Sequence, residues 1–330
     1  MTALTTVTYH YVRPIAGSRF PGLKGLEVAR FEEQLLYLLR NYEPVSARQV
    51  VDAARGGQSL PSRPVLLTFD DGYLDHYSYV FPLLVKHGIT GVFFPPTCAL
   101  FERQVLDVNK VHFVLERMPD RPALISELER QIDAARGGYA LPGFDEYRAK
   151  YMRPFRWDDA ETIYVKRMLQ HALPDRLRGK IAAELFRRFV TADEAAFADE
   201  LYLNAAQLRD MTQAGMEVGS HGHNHLWLDR EEPAVQEADI CRSLGYLSRV
   251  GAPERGFLFC YPYGAYNGDT LALLSRLGCA AAFTTRSGLV DVVPASLLEI
   301  PRIDTNDVPA SGAKAGKRSD EPVLSKRQVS

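Results

Sequence analysis

The sequence has few cysteines and no long apolar run. Its four cysteines, Cys98, Cys241, Cys260 and Cys279, are widely spread and form no CxxC pair. This spacing argues against a disulfide framework or a zinc knuckle, and it favours a reducing compartment. No stretch approaches the roughly 18 uninterrupted apolar residues of a transmembrane helix, so none is predicted.

Excess charge is also missing. Among 330 residues, 39 Lys and Arg face 41 Asp and Glu, which gives a formal net charge of -2. A nucleic-acid-binding protein usually carries a basic excess, so no nucleic-acid partner is predicted. The first ten residues lack the basic and apolar regions of a secretory signal. We therefore expect a cytoplasmic protein.

Strand and helix patterns alternate in the two outer parts of the chain. An apolar run over 65–69 is typical of a strand covered on both faces, and a helix over 75–87 and a strand over 89–94 follow it. This succession predicts a parallel βαβ unit. Six or seven strands separated mostly by helices favour a wound sheet or a barrel. Further strands are predicted over 6–12, 216–219, 257–261, 280–285 and 298–303, and further helices over 28–42, 47–54, 205–214, 233–250 and 269–277.

The alternation lapses in the middle of the chain, so we expect one discontinuous domain over 1–100 and 200–308 with a helical insertion at 101–199. Near residues 176–190 the insertion has apolar residues every four positions, flanked by arginines and a lysine. Such a basic helix is compatible with a membrane surface, but a stripe of this kind more often packs on its own domain. The segment 309–330 is rich in Gly, Ala, Ser and Lys and is predicted to be a disordered tail.

Polar clusters follow several predicted strands, where parallel α/β folds collect ligands and catalysts. The first cluster contains Asp70 and Asp71. Adjacent carboxylates repel each other in a low-dielectric site unless a cation is present, so one can hold a metal ion while the other acts as a base. The alternative is a simple turn capped by Asp71.

The second cluster places three of the eight histidines within five residues, at His221, His223 and His225. His221 and His225, four apart, can present their imidazoles to one ion. Histidine with carboxylate suits Zn²⁺, and Co²⁺, Ni²⁺, Fe²⁺ or Mn²⁺ are the alternatives. The competing interpretation is a solvated polar loop. His223 is either a second-shell or substrate contact or a plain loop residue.

The third cluster surrounds Tyr263. The Pro and Gly on either side of this tyrosine predict a sharp turn after a strand, which can direct a backbone N–H toward a pocket and so supply an oxyanion donor. Tyr261 and Pro262 of the same turn are assigned to substrate binding. Cys260 is a possible soft metal ligand, but a lone cysteine after an apolar strand is more often a small buried side chain.

In this order and spacing, the clusters resemble the polysaccharide deacetylase family, the NodB-homology metal-dependent N-deacetylases related to carbohydrate esterase family 4. The resemblance covers about residues 5–100 and 200–305. It implies an α/β fold, a deformed (β/α) barrel of about seven parallel strands, and a single Zn²⁺ or similar ion. Position by position, it implies metal ligation by Asp71, His221 and His225, a general base at Asp70 and an oxyanion donor at the Tyr263 N–H.

Three positions depart from the usual family pattern. Gly222 replaces a Ser or Thr whose hydrogen bond steadies the ligand loop. Cys260 replaces the arginine that orients the base, and the histidine of the last strand is missing. A subset of the family resembles this chain in its Tyr-His-x-Val first strand and its Pro-Arg-Ile last strand. By that likeness, His10 is the general acid and Arg302 orients Asp70.

The resemblance implies an enzyme that hydrolyses non-peptide amide bonds, removing N-acetyl groups from amino sugars of a polysaccharide or glycan precursor. Two alternatives remain: a deacylase of a small N-acyl compound or nucleotide sugar, and an inactive carbohydrate-binding relative.

Overall fold

The computed structural model describes residues 3–155 and 158–309, so the predicted tail lies, apart from Pro309, outside the described residues. The chain divides into two compact units. Among the described residues, the first contains 3–14, Gly25–Arg103 and 199–309, and the second contains Ile15–Lys24 and Gln104–Ala198. No pattern in the sequence signals that Ile15–Lys24 joins the second unit. The limits 1–100, 101–199 and 200–308 stay predictions.

The described part of the first unit alternates strands with helices. Its strands are Ala3–Tyr9 (β1), Glu43–Pro44 (β2), Pro64–Asp70 (β3), Gly91–Phe94 (β4), Glu217–Val218 (β5), Leu258–Cys260 (β6), Ala281–Phe283 (β7), Val290–Asp291 (β8) and Ile303–Asp304 (β9). Its helices are Val28–Asn41 (α1), Ala47–Ala54 (α2), Phe81–Lys86 (α3, after a π-helical turn at His76–Val80), Thr97–Glu102 (α4), Ala205–Gln213 (α11), Pro233–Leu247 (α12) and Gly268–Leu277 (α13).

The second unit is helical among its described residues. Its helices are Asp107–Arg117 (α5), Arg121–Ala135 (α6), Phe144–Tyr151 (α7), Ala160–Arg167 (α8), Asp175–Phe189 (α9) and Glu194–Leu201 (α10), of which the last ends in the first unit.

Seven parallel strands form a closed ring. One sheet runs in the order β5-β4-β3-β1, β9 pairs with the free side of β1, and β6 pairs with β7. Single parallel bridges complete the circle, from Ser220 to Phe259 and from Phe283 to Ile300. Because two of the seven seams consist of isolated bridges, the barrel is deformed. The predicted fold is confirmed.

Two additional short strands lie outside this ring. β2 pairs with β3 in parallel, and β8 pairs with β1 in antiparallel orientation. Each is only two residues long. Runs this short carry too little periodicity for a sequence pattern to reveal them.

The strands of the barrel are mostly apolar, and an aromatic stack packs three of them against Phe31 of α1. All seven residues of β3 are buried, as their continuous apolar run predicts. The ring of Phe69 stacks on Tyr9 of β1 at 5.2 Å and on Phe93 of β4 at 4.8 Å between centroids. Burying one such side chain stabilises the fold by about 1.5–3 kcal/mol. The stack therefore fixes β1, β3 and β4 side by side and aligns their carboxyl ends.

Two predicted strands are shifted in the structure. The first spans Ala3–Tyr9 instead of 6–12, since the chain leaves the sheet after Tyr9 and Val12 forms an isolated bridge with Leu26. The last spans Ile303–Asp304 instead of 298–303. Pro301 has no N–H to donate to a ladder, so Ile300 makes one bridge before the proline and β9 begins after it.

The apolar stripe of the basic helix α9 is buried within the second unit. Leu177, Ile181 and Leu185 of α9 are buried. On the exposed side, Arg187 pairs with Glu184. These contacts match the packing interpretation, and membrane contact near 176–190 stays a prediction. Within residues 3–155 and 158–309, no helix combines the length and apolar character needed to cross a membrane.

Gly219 is required where β5 leads into the ligand loop. A Cβ at this position would lie 2.7 Å from the Leu258 carbonyl oxygen and would overlap the Phe94 ring. We expect Gly219→Ala to lower the free energy of unfolding by about 1–3 kcal/mol, as overpacking does. The matched control is Gly245→Ala in α12, where nothing lies within 4 Å and alanine should stabilise by about 0.5–1 kcal/mol.

Urea denaturation of the two variants measures both effects. Equal stability of Gly219→Ala and the wild type would contradict this close packing.

Candidate functional site

The predicted polar residues meet at the carboxyl end of the barrel. Asp70 ends β3, His10 directly follows β1, and the turn Pro262–Gly264 follows β6. Parallel strands bring their carboxyl ends to one edge, which is why residues so distant in sequence become neighbours.

Asp71, His221 and His225 form one buried cluster. Oδ1 of Asp71 lies 3.6 Å from Nε2 of His221 and 3.5 Å from Nε2 of His225. Their side chains are almost fully shielded from solvent. Ligand atoms of a tetrahedral zinc ion, each about 2.1 Å from the metal, lie roughly 3.4 Å apart. The three donors therefore fit a single divalent ion.

The electrostatics of the two histidines also suit a metal. Burial lowers the pKa of His225 to about 3, and His221 beside it adds to this effect. Burial likewise lowers the pKa of His221. Both rings are thus neutral near pH 7 and offer lone pairs. Nδ1 of His221 lies 2.7 Å from the Cys260 carbonyl and donates to it, which leaves Nε2 of His221 as the acceptor facing Asp71.

Backbone strain concentrates at the same place. In the described residues, four non-glycine residues have positive φ, and three of them belong to this site: Asp71 (68°), His225 (55°) and Tyr263 (59°). Such conformations persist only where surrounding contacts impose them, and they cluster at functional sites. The positive φ values turn the backbone at these three residues, so that their side chains point in directions that a regular strand or helix would not give them.

Asp70 is held by a buried arginine. Nη1 and Nη2 of Arg302 donate to Oδ1 and Oδ2 of Asp70 at 2.8 and 2.7 Å, and Nε donates to the Thr284 carbonyl at 2.8 Å. Burial would raise the pKa of Asp70, but the Arg302 guanidinium outweighs it and holds that pKa well below its usual range. The structure thus brings together the two residues that the resemblance pairs.

His10 approaches the same carboxylate from the solvent side. Its Nε2 lies 3.8 Å from Oδ2 of Asp70, and its side chain is 51% exposed. Its backbone is fixed by the buried His76, whose Nε2 donates to the His10 carbonyl at 2.8 Å. The His10 imidazole therefore contacts both the solvent and the site, which is the position that a proton-transferring group requires.

The loop that carries the histidines is anchored by residues that the motifs do not reveal. Asp239 of α12 accepts hydrogen bonds from the backbone N–H groups of His223 and Asn224, at 2.8 and 2.9 Å. Ser220 accepts from the Gly222 N–H at 3.1 Å. These bonds steady the loop without the usual Ser or Thr. A Cβ on Gly222 would lie only 2.6 Å from Oδ2 of Asp239. The absence of a side chain at Gly222 therefore lets the Asp239 carboxylate approach the loop.

Tyr73 is a second residue that the motifs do not reveal. Its hydroxyl donates to Oδ2 of Asp71 at 2.6 Å, and its ring is fully buried. Only its position two residues after Asp71 offers a signal in the sequence. Asp239 offers none, because nothing in the helical pattern of α12 distinguishes it from Glu237, the other acidic residue of that helix.

The assignment of His223 to substrate binding stays a prediction. Its ring is completely buried, Nδ1 lies 2.8 Å from Oγ1 of Thr97, and the ring stacks on Tyr246 at 5.6 Å. His221 and His225 face Asp71, but His223 between them turns into the protein. It stabilises the loop.

The substrate assignments of Tyr261 and Pro262 also stay predictions. Tyr261 is fully buried in an apolar cluster with Phe259 and Leu273, and its hydroxyl donates to the Leu298 carbonyl at 2.8 Å. Pro262 is buried in the turn. Tyr263 does reach the site: its ring lies 4.5 Å from that of His225 and stacks on Trp227 at 4.2 Å.

Cys260 lies beside the base. It is buried, and its Sγ donates to Oδ2 of Asp70 at 3.5 Å. It belongs with Asp70 and His221 to a second group of close potential ligands. Because Arg302 already occupies both oxygens of Asp70, this group is a poorer cation site than the cluster of Asp71, His221 and His225.

Comparison with known proteins agrees with the fold and with the family resemblance. A family model described as polysaccharide deacetylase matches residues 186–282. The poly-β-1,6-N-acetyl-D-glucosamine N-deacetylase of Escherichia coli (strain K12) is 25% identical over 301 residues, which cover 90% of this chain and 36% of that protein. The chain therefore spans about a third of this relative's length.

Solved structures share the fold. The Streptococcus pyogenes deacetylase PplD in complex with acetate has a TM-score of 0.56 and 18% identity, with 94% of each chain covered. IcaB from Ammonifex degensii has a TM-score of 0.55 and 19% identity, with 92% of this chain and 91% of that chain covered.

The barrel has the NodB-like deacetylase fold of these structures. In its sequence the chain is similar to polysaccharide deacetylases, through the family model that matches residues 186–282 and through the relative from Escherichia coli. The resemblance found in the sequence is confirmed.

We expect His225→Ala to abolish stoichiometric Zn²⁺ binding, because the ion would lose one of three protein ligands. The matched control is His87→Ala, which removes a histidine between the end of α3 and the start of β4, before the amino end of that strand. Equilibrium dialysis followed by elemental analysis measures the bound zinc in both variants. Full zinc occupancy in His225→Ala would refute the assigned ligand set.

Proposed function

We propose that this chain is a metal-dependent hydrolase that removes N-acetyl groups from amino sugars of a polysaccharide or glycan precursor and releases acetate. One observation carries the proposal: a metal-competent cluster of Asp71, His221 and His225 lies beside an oriented second carboxylate, Asp70. A ligand set and a base in adjacent positions are what hydrolysis of an unreactive amide requires.

Zn²⁺ is the proposed ion, and Co²⁺, Ni²⁺, Fe²⁺ and Mn²⁺ are the alternatives. When bound, such an ion supplies Lewis acidity toward water and the acyl oxygen.

Asp70 is the proposed general base. Arg302 fixes both of its oxygens, so the carboxylate has one orientation toward the incoming water. As the water oxygen bonds to the acyl carbon, Asp70 takes the proton. Because Arg302 lowers the pKa of Asp70, the carboxylate is ionised near neutral pH and can accept a proton.

His10 is the proposed general acid. Its Nε2 lies 3.8 Å from Oδ2 of Asp70, so the proposed acid and the proposed base are neighbours in the site. As the carbon–nitrogen bond breaks, His10 protonates the leaving nitrogen, so that an amine and acetate depart. The Tyr263 N–H is the proposed donor to the oxyanion of the substrate, which is supported by the strained turn that sets this residue beside His225.

The proposed substrate class is an N-acetylated glucosamine polymer. It is supported by the relative that bears the name poly-β-1,6-N-acetyl-D-glucosamine N-deacetylase. Location in the cytoplasm and contact of the 176–190 helix with a membrane stay predictions, which cell fractionation and vesicle co-sedimentation would test.

The proposal is tested by acetate release. We expect the zinc-loaded protein to release acetate from β-1,6-linked N-acetylglucosamine oligomers. Asp70→Asn should keep the zinc and lose at least about 10²-fold in rate, because the base is gone. Asp210→Asn is the matched control, since Asp210 is an exposed carboxylate in α11, and its rate should equal that of the wild type.

The outcomes separate the alternatives. Release from monomeric N-acyl sugars or nucleotide sugars alone would favour the small-molecule deacylase. No release from any of these substrates by a protein that binds zinc would favour an inactive carbohydrate-binding relative. Undiminished turnover by Asp70→Asn would remove Asp70 from the role of base.

For His10→Ala we expect retained zinc and a rate lower by about 10²- to 10⁴-fold, the usual value of a general acid. The fall should be smaller for substrates with better leaving groups, because these need less protonation. N-acetyl anilides with electron-withdrawing groups provide such a series. An equal fall for all leaving groups would assign His10 a different task.

A further inference from the structure

The two oxygens of Asp71 have different partners. Oδ2 accepts the Tyr73 hydroxyl at 2.6 Å, which is the short distance of a charge-assisted O–H···O⁻ bond. Oδ1 faces Nε2 of His221 and Nε2 of His225, at 3.6 and 3.5 Å. Tyr73 thus occupies one oxygen, and the other is directed at the position of the ion.

Tyr73 is itself held in place from several sides. Its ring stacks on Tyr11 at 4.1 Å and on Tyr202 at 6.0 Å, and it meets the His76 ring in a T-shaped contact at 5.6 Å, all measured between centroids. Its backbone forms an isolated antiparallel bridge with Tyr202. A hydroxyl on so constrained a ring can impose an orientation on its acceptor.

Asp71 needs such a constraint. Its φ of 68° is a conformation that residues with a side chain rarely adopt, and Gly72 after it also has positive φ. The carboxylate therefore starts from a strained backbone, and rotation about its last side-chain bond would exchange its two oxygens. The Tyr73 bond removes this freedom.

We propose that Tyr73 is a positioning residue that makes Asp71 a one-oxygen ligand and prepares the site for its metal ion. The inference rests on the proposed function, because it requires that Asp71, His221 and His225 bind a divalent ion. Hydrogen-bond partners of metal ligands typically change affinity by 10- to 100-fold, and Tyr73 is such a partner.

The test compares Tyr73→Phe with Tyr9→Phe. Each variant loses one hydroxyl from a fully buried tyrosine, but the Tyr9 hydroxyl has no hydrogen-bond partner among the described residues. Competition with a chromophoric chelator measures the affinity for Zn²⁺ and Co²⁺. The visible absorption of the Co²⁺ complex reports its coordination, which a merely structural role of Tyr73 would leave unchanged. Thermal unfolding of the metal-free proteins reports stability.

We expect Tyr73→Phe to bind both ions 10- to 100-fold more weakly and to alter the Co²⁺ spectrum, and Tyr9→Phe to match the wild type in both. Affinity within twofold of wild type with an unchanged spectrum would overturn the role of Tyr73 alone. The role of Tyr73 would also be overturned if the loss of metal affinity in Tyr73→Phe were fully explained by a smaller fraction of folded protein. A wild-type protein that binds neither ion would overturn the proposed metal site, and this inference with it.

Discussion

The ion pair between Arg302 and Asp70 is the interaction on which the site depends. One guanidinium joins the end of β3 to the residue before β9, and its Nε also binds the Thr284 carbonyl just after β7. Removing one partner of a buried pair typically costs about 3–5 kcal/mol, because the other charge is left uncompensated. The ion pair that orients Asp70 therefore also connects the strands where the ring closes. The same contact stabilises the fold and positions the proposed base.

Around that pair, the site combines rigidity with strain. Left-handed conformations at Asp71, His225 and Tyr263 each cost on the order of 1–3 kcal/mol. The packed strands beneath them and the hydrogen bonds around them offset this cost. The result is a cluster whose donor atoms are already close together before any ion is bound, which reduces the reorganisation that binding would require.

Much of this arrangement follows from the sequence, because its causes are local. The apolar run of β3 predicts a covered strand, and the residues after it predict a polar edge. The paired role of Arg302 and Asp70 is available only through the resemblance, since 232 positions separate the two residues. Asp239 and the inward turn of His223 are not available at all. Both depend on which helix packs against the histidine loop, and that tertiary contact cannot be predicted from the residue pattern of either segment.

The anchoring of the histidine loop to α12 has a thermodynamic consequence. Asp239 and Ser243 are one helical turn apart on α12, and they bind the loop at His223 and Ser220. If this turn of α12 unfolded locally, the histidine loop would lose both anchors. Hydrogen exchange in α12 and dissociation of a bound ion are therefore thermodynamically linked. By the same linkage, an ion that binds the loop protects a helix that contributes no ligand to it.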